Sequence, residues 1–364
     1  MKTRNIILSA LLSATFAITF TSCDTNKEEP QVNPEISTGV YVLNEGKFLG
    51  NNASLSYYDL TTSIVANDVF TTKNNRKLGD TGQDILKYGS KVYIAVYGSS
   101  LIEVIDAATG ISKKTIPMLN AGLPSSPRSL ASYNGKIYIS LFDGHVAQLD
   151  TTTLIVEKTV AVGSNPEGIV VANNKIYVAN SGGMALKNDS TISVIDPVSF
   201  TVIRNIKVVI NPSIIKADAY GDLYVLSFGN YGTIPYTFQR IEAATIPEKV
   251  TVITNLKPYN FTIDGDNAYL YSYDYDANWN PTNKSYTIYD VKNEQVLKSN
   301  FISSSAIVNT PYSIDVNPIT KDIYIGESDY KNAGKMNVFG QDGVLKFSFV
   351  TGLNPRKTIF LTKK

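Results

Sequence analysis

One motif recurs seven times along this chain. Its fullest copy reads Asn165-Pro166-Glu167-Gly168-Ile169, then Lys175-Ile176-Tyr177-Val178-Ala179-Asn180, then Ser193-Val194-Ile195-Asp196. Self-similarity at a period of about 40–50 residues restricts a chain to a propeller, a solenoid or an array. Every unit here is short runs of Val, Ile and Tyr broken by Gly, Asn, Asp and Pro, which is strand-and-turn chemistry. The expected fold is therefore all-β: a ring of four-stranded antiparallel blades.

The units can be laid over one another. Inner strands are expected to begin at Gly82-Gln83, Pro127-Arg128, Pro166-Glu167, Pro212-Ser213, Pro258-Tyr259, Pro311-Tyr312 and Pro355-Arg356. Each leads into an apolar run and a turn such as Asn134-Gly135, whose residues supply the positive φ angles of a two-residue hairpin. The second strand carries Tyr41, Tyr93, Tyr138, Tyr177, Tyr224, Tyr269 or Tyr324, and the third typically ends in Asp, as at Asp59, Asp106, Asp150, Asp196 and Asp290. The first unit, from Val40, lacks an inner strand. The last inner-strand signature, Asn354 to Leu361, has no unit after it. The economical expectation is seven blades, with the C-terminal strand completing the first so that no sheet edge stays open.

With Lys+Arg 33 against Asp+Glu 32, the net charge is +1, and no basic excess exists to meet nucleic-acid phosphates. Lys2 and Arg4 precede an apolar stretch from Ile6 to Phe20 that ends in Thr21-Ser22-Cys23. That length suits a signal-peptide core better than a membrane span. Cys23 is the sole cysteine, so no intrachain disulfide forms. Its position, followed by a polar stretch, points to lipid modification after cleavage. The expected organisation is a signal peptide over 1–22, a lipidated Cys23 and linker over 23–38, and the ring over 39–364.

The start of the chain resembles the signal of bacterial lipoproteins, and Lys27-Glu28-Glu29 resembles the short acidic export signal of Bacteroidetes surface lipoproteins. The Pro-Glu-Gly-Ile, Ile-Tyr-Val-Ala-Asn and Ile-Ser-Val-Ile-Asp pieces of the fourth unit resemble the YVTN repeat of YncE-like seven-bladed propellers. That resemblance extends over about residues 39–364. The opening Tyr41-Val42-Leu43-Asn44-Glu45-Gly46, with Asn51 to Asp59, resembles surface lipoproteins of gut Bacteroidetes, among them BtuG-type proteins that capture cobalamin for an outer-membrane transporter. The resemblance implies a lipid-anchored outer-membrane protein facing the cell exterior. It also implies a corrinoid ligand and a TonB-dependent transporter as partner.

Site candidates follow from topology. Loops joining strands two and three, and those joining strand four to the next strand one, share one face of such a ring. The residues after each loop Pro or Gly are Gln83, Arg128, Glu167, Ser213, Tyr259, Tyr312 and Arg356, expected as a ring at the channel mouth. The longer loops bring Phe48, Tyr97, Phe142, His145, Tyr231, Tyr236, Tyr275, Trp279 and Tyr330. Aromatics in such number on one face favour a surface that grips a ligand or partner. Asp274, Asp276, Asn278 and Asn280 alternate like calcium-loop oxygens, but lack the turn Gly and the downstream Glu, so a solvated loop is expected. His145 is the single histidine, which excludes a His-based metal cluster and leaves catalysis little to use. The expected function is non-enzymatic capture of a bulky nutrient, cobalamin or a related corrinoid, with no catalytic cofactor and no metal. The alternative is a protein- or glycan-binding scaffold in a surface complex.

Overall fold

The computed structural model describes residues 34–183, 188–277, 280–303 and 308–363. The expected signal, Cys23 and Trp279 lie outside them. Seven four-stranded antiparallel sheets form the blades. Blade one runs outward from Pro355–Lys363 through Ile36–Asn44 and Ser54–Asp59 to Ile64–Ala66. Its first chain segment thus begins at Ile36, within the stretch expected as linker. A short helix, Val69–Asn74, leads to blade two, from Gly82–Tyr88 to Ser112–Pro117. Blade three spans Pro127–Tyr133 to Val156–Ala161, blade four Pro166–Ala172 to Thr201–Lys207, and blade five Pro212–Ala217 to Lys249–Val252. Blade six spans Asn260–Asp264 to Gln295–Ser299, and blade seven Pro311–Val316 to Leu345–Val350. A two-stranded hairpin, Leu119–Asn120 with Leu123–Pro124, is inserted between blades two and three.

The ring closes as the repeat count required. Ile36 pairs with Lys363 and Asn44 with Pro355, so the two ends of the described chain share one sheet. Closure leaves no inner edge for another chain to extend.

Each interface between neighbouring blades holds its own apolar cluster, seven in all among the described residues. The repeat tyrosine of every blade belongs to one of them. Tyr41, Tyr93, Tyr138, Tyr177, Tyr224, Tyr269 and Tyr324 are all buried. A β-strand alternates its side chains, so the centre of each second strand must be apolar on both faces to meet two neighbours. The third-strand aspartates have a local task. Asp150 accepts the amides of Thr152 and Thr153, and Asp196 those of Val198 and Ser199, turning the chain into the outer strand. At the Asn134-Gly135 hairpin both residues have positive φ, 46° and 76°, as an Asn-Gly turn of this kind needs.

The inner strands share an irregularity that positions the site. The ladder slips between Gly82 and Asp84, Pro127 and Leu130, Pro166 and Ile169, Pro212 and Ile214, and Pro311 and Ser313. The C-terminal strand slips likewise between Pro355 and Lys357. A bulge lifts its extra residue off the ladder and re-aims the side chain. Asn165, Asn211 and Asn354, each just before the strand-opening proline, hold left-handed backbone at φ 47°, 61° and 59°. Asn adopts that region more readily than other side chains. Gly168 serves close approach instead: a Cβ there would stand 2.7 Å from the Ser213 carbonyl oxygen of the next inner strand.

Candidate functional site

The bulged residues converge. Gln83, Arg128, Glu167, Ser213, Tyr312 and Arg356, with Tyr259 just ahead of the regular inner strand of blade six, all line one cavity of about 540 Å³ at the channel mouth. Phe142, Tyr231 and Tyr330 join them from the longer loops.

The charged side is built from two arginines. Arg128 forms a two-pronged pair with Glu167, Nε to Oε2 at 2.7 Å and Nη2 to Oε1 at 2.8 Å. Its guanidinium carbon lies 4.9 Å from the Tyr97 ring centre and 5.2 Å from that of Phe142. Arg356 donates to the Gln83 carbonyl at 2.7 Å and to Glu45 at 2.7 Å, and Tyr312 donates its hydroxyl to the same Glu45.

The aromatic side is continuous over blades five and six. Tyr259 stacks on Tyr273 with centres 4.3 Å apart, and Tyr236 stands 5.5 Å from Tyr259. Tyr275 meets Tyr259 edge-on at 6.2 Å, and Phe228 meets Tyr236 at 5.1 Å. Burial, then the neighbouring phenols, push the Tyr259 and Tyr273 hydroxyls well above the usual tyrosine range. On blade seven, Tyr312 and Tyr330 pack edge-on at 5.6 Å.

Other candidates fall outside the lining. Tyr97 backs Arg128, and Phe48 extends that arc, 6.4 Å from Tyr97 and 59% exposed. Tyr236 and Tyr275 pack against Tyr259 without lining the cavity. His145 turns away: its Nδ1 lies 3.2 Å from both Asp143 Oδ1 and Asn120 Nδ2, the latter on the inserted hairpin. Its loop belongs to the expected face, but its side chain is held beside that hairpin. In the oxygen-rich loop, Asp276 accepts the Asn280 amide, and Asp274 accepts from Asn283.

Below the ring lie residues that the sequence reading did not single out. Lys216, Asp315, Lys357 and Asp84 line the cavity floor, and Tyr271 and Tyr273 its wall. A signal was present: Lys216 and Asp315 occupy the same place, four residues beyond Pro212 and Pro311, each the one charged residue of its inner strand. Opposite charges at one repeat position on two blades mark a shared channel. Lys357 pairs with Asp84 at 2.5 Å, while Asp84 also accepts the Leu130 amide and Asp315 the Thr358 amide. Both carboxylates therefore stitch one blade to the next. Burial pushes the Asp315 carboxyl up to about 6.

A model of the domain-of-unknown-function family DUF5074 matches residues 38–351. The chain belongs to that family. No curated protein matches this DUF5074 chain. Among solved structures it is similar to the hydrazine synthase of Kuenenia stuttgartiensis, at 18% identity and a TM-score of 0.57, over 72% of this chain and 77% of that one. It is also similar to the WD40 repeats of RRP9, at 10% identity and a TM-score of 0.56, over 75% and 81% of the two chains. U3-55K follows at 10% identity and a TM-score of 0.55, over 75% and 82%. At such identities the likeness is one of propeller fold.

Proposed function

We propose that this DUF5074 propeller is a non-enzymatic capture protein that holds a bulky, flat nutrient in the cavity at its channel mouth, cobalamin or a related corrinoid being the specific candidate. The observation that carries this reading is the convergence of all seven ring positions on one cavity walled by tyrosines and floored by charge. The cavity volume of about 540 Å³ suits a small-molecule site, for which about 300–1,000 Å³ is usual. A corrinoid exceeds it, so part of the ligand would rest on the exposed rim, where Tyr231 and Tyr330 are 60% and 55% exposed. Desolvation against rings supplies affinity, and the guanidinium and amide donors supply orientation. A closed ring spends little entropy on ordering itself.

In this reading Cys23 carries the lipid that anchors the protein to the outer membrane, facing the exterior, and a TonB-dependent transporter receives the ligand. Radiolabelled palmitate incorporation that disappears in Cys23→Ser supports the anchor; unchanged incorporation removes it. Calorimetry with cyanocobalamin tests the ligand. Saturable heat at micromolar protein, weakened at least about tenfold by Tyr259→Ala, is the expected result. Absence of heat and of pink co-elution overturns the corrinoid assignment.

A protein- or glycan-binding role has one observation in its favour. Phe48 and Leu49 stand 59% and 79% exposed, and Leu119 and Leu123 54% and 71%, on loops of the same face. Retention of a partner by wild type but not by Phe48→Ser/Leu49→Ser, with cyanocobalamin heat absent, selects that reading.

A further inference from the structure

Among the four cations that line the cavity, Arg128, Arg356 and Lys357 each have an acidic partner. Lys216 keeps its backbone place in the ladder opposite Tyr224, but its side chain makes no hydrogen bond or ion pair with any of the described residues. The charged groups that face it are Lys357, Asp84 and Asp315. Both carboxylates are engaged elsewhere. Asp84 takes Lys357 and the amides of Ile85 and Leu130, and Asp315 takes the Thr358 amide. Lys216 is half-buried on the cavity lining, where partial desolvation, then Lys357, lower its pKa. A charge drawn partly out of water is normally paired, because an unpaired one forfeits hydration without compensation.

We propose that Lys216 is the centre of an anion subsite at the cavity floor, taking a carboxylate or a phosphate-like oxyanion of the bound ligand while the tyrosine wall holds its flat body. The subsite rests on the capture reading above and narrows it to ligands with an acidic arm. The ammonium donates to the anion's oxygens. Lys357, although held by Asp84, adds a second positive charge nearby. Asp315 opposes binding whenever it is ionised, so affinity for an anion of constant charge rises as pH falls through about 6. The ring above contributes two internally paired arginines, whose charges Glu167 and Glu45 offset.

Sulfate is the probe, since its charge does not change over this pH range, with acetate as a parallel arm to separate oxyanion from carboxylate preference. The full chain is titrated by calorimetry at fixed ionic strength. Expected are saturable sulfate binding, weakening of about tenfold or more in Lys216→Met, and retention within about threefold in Lys216→Arg. Asp315→Asn at neutral pH is expected to tighten sulfate binding several-fold and to remove the part of its pH dependence centred near about 6. Thermal melts identify any variant that has lost its fold, and Lys216→Arg and Asp315→Asn keep the test open if Lys216→Met fails to fold. Absence of saturation in the wild type, or equal sulfate affinity in Lys216→Met, overturns the subsite. Sulfate binding without cyanocobalamin heat leaves the subsite standing and removes only the corrinoid; cyanocobalamin heat without sulfate binding does the reverse.

Discussion

Arg128 on blade three and Glu167 on blade four occupy the same repeat position, one residue after the strand-opening proline, and meet in a two-pronged ion pair at 2.7 and 2.8 Å. The bulge at each strand start lifts both side chains off their ladders, and Tyr97 and Phe142 lie against the guanidinium. A pair held in that way is pre-organised, unlike a mobile surface pair. Arg128→Ala is expected to cost about 1–3 kcal/mol, from the lost pair and the lost ring contacts together. Urea denaturation measures this. A loss within error of zero would show the pair to be passive.

Removal of residues 355–364 takes away the innermost strand of blade one. Ile36–Asn44 would then face the channel with an unpaired ladder, and of the two flanking blade interfaces one would lose Ile359 and Leu361 and the other Phe360. The truncated chain is expected to show no cooperative thermal transition. A melt within a few degrees of the intact chain would mean that closure is dispensable.

Asp315 gives stability a pH dependence whose sign is opposite to that of most carboxylates. Burial raises its folded pKa to about 6, whereas an unfolded aspartate releases its proton near about 3.9. Between those values the native chain binds more protons than the unfolded one, so stability falls as pH rises through the window. The contribution is at most about 3 kcal/mol. Urea midpoints across this range should fall less steeply with rising pH for Asp315→Asn than for the wild type, and equal slopes would remove the assignment.

The tyrosine wall should resist base. Burial first, then neighbouring phenols, raise Tyr259 and Tyr273. An unfolded phenol ionises near about 10. Spectrophotometric titration of the native chain should therefore show a deferred tyrosine fraction that urea restores to ordinary behaviour. Because the native state favours the neutral phenols, stability is lost as pH rises beyond the unfolded value. Complete ionisation of the native chain in one ordinary step would contradict the packing of Tyr259 on Tyr273.

Much of the architecture could be read before any coordinates. Repeated Pro, Tyr and Asp positions marked inner strand, core and turn, and the orphan signature at Asn354-Pro355 announced the closing strand. The ring of residues after each proline was also legible, because the repeat register carries over to position around an axis. His145 shows where such reading stops. Its loop lies on the expected face, but its side chain goes to Asn120 and Asp143, partners supplied by an inserted hairpin that no repeat position encodes.

Local pattern determined the strand periods, the number of wedges and which face carries the loops, since these depend on turn chemistry and on alternation along a single strand. Only the tertiary structure decided how charge is distributed inside. It paired Arg128 with Glu167 and Lys357 with Asp84, and it left the Lys216 side chain without a hydrogen-bond or ion-pair partner among the described residues. Those choices depend on distances between inner strands of neighbouring blades, and electrostatic energy depends on such distances rather than on order in sequence.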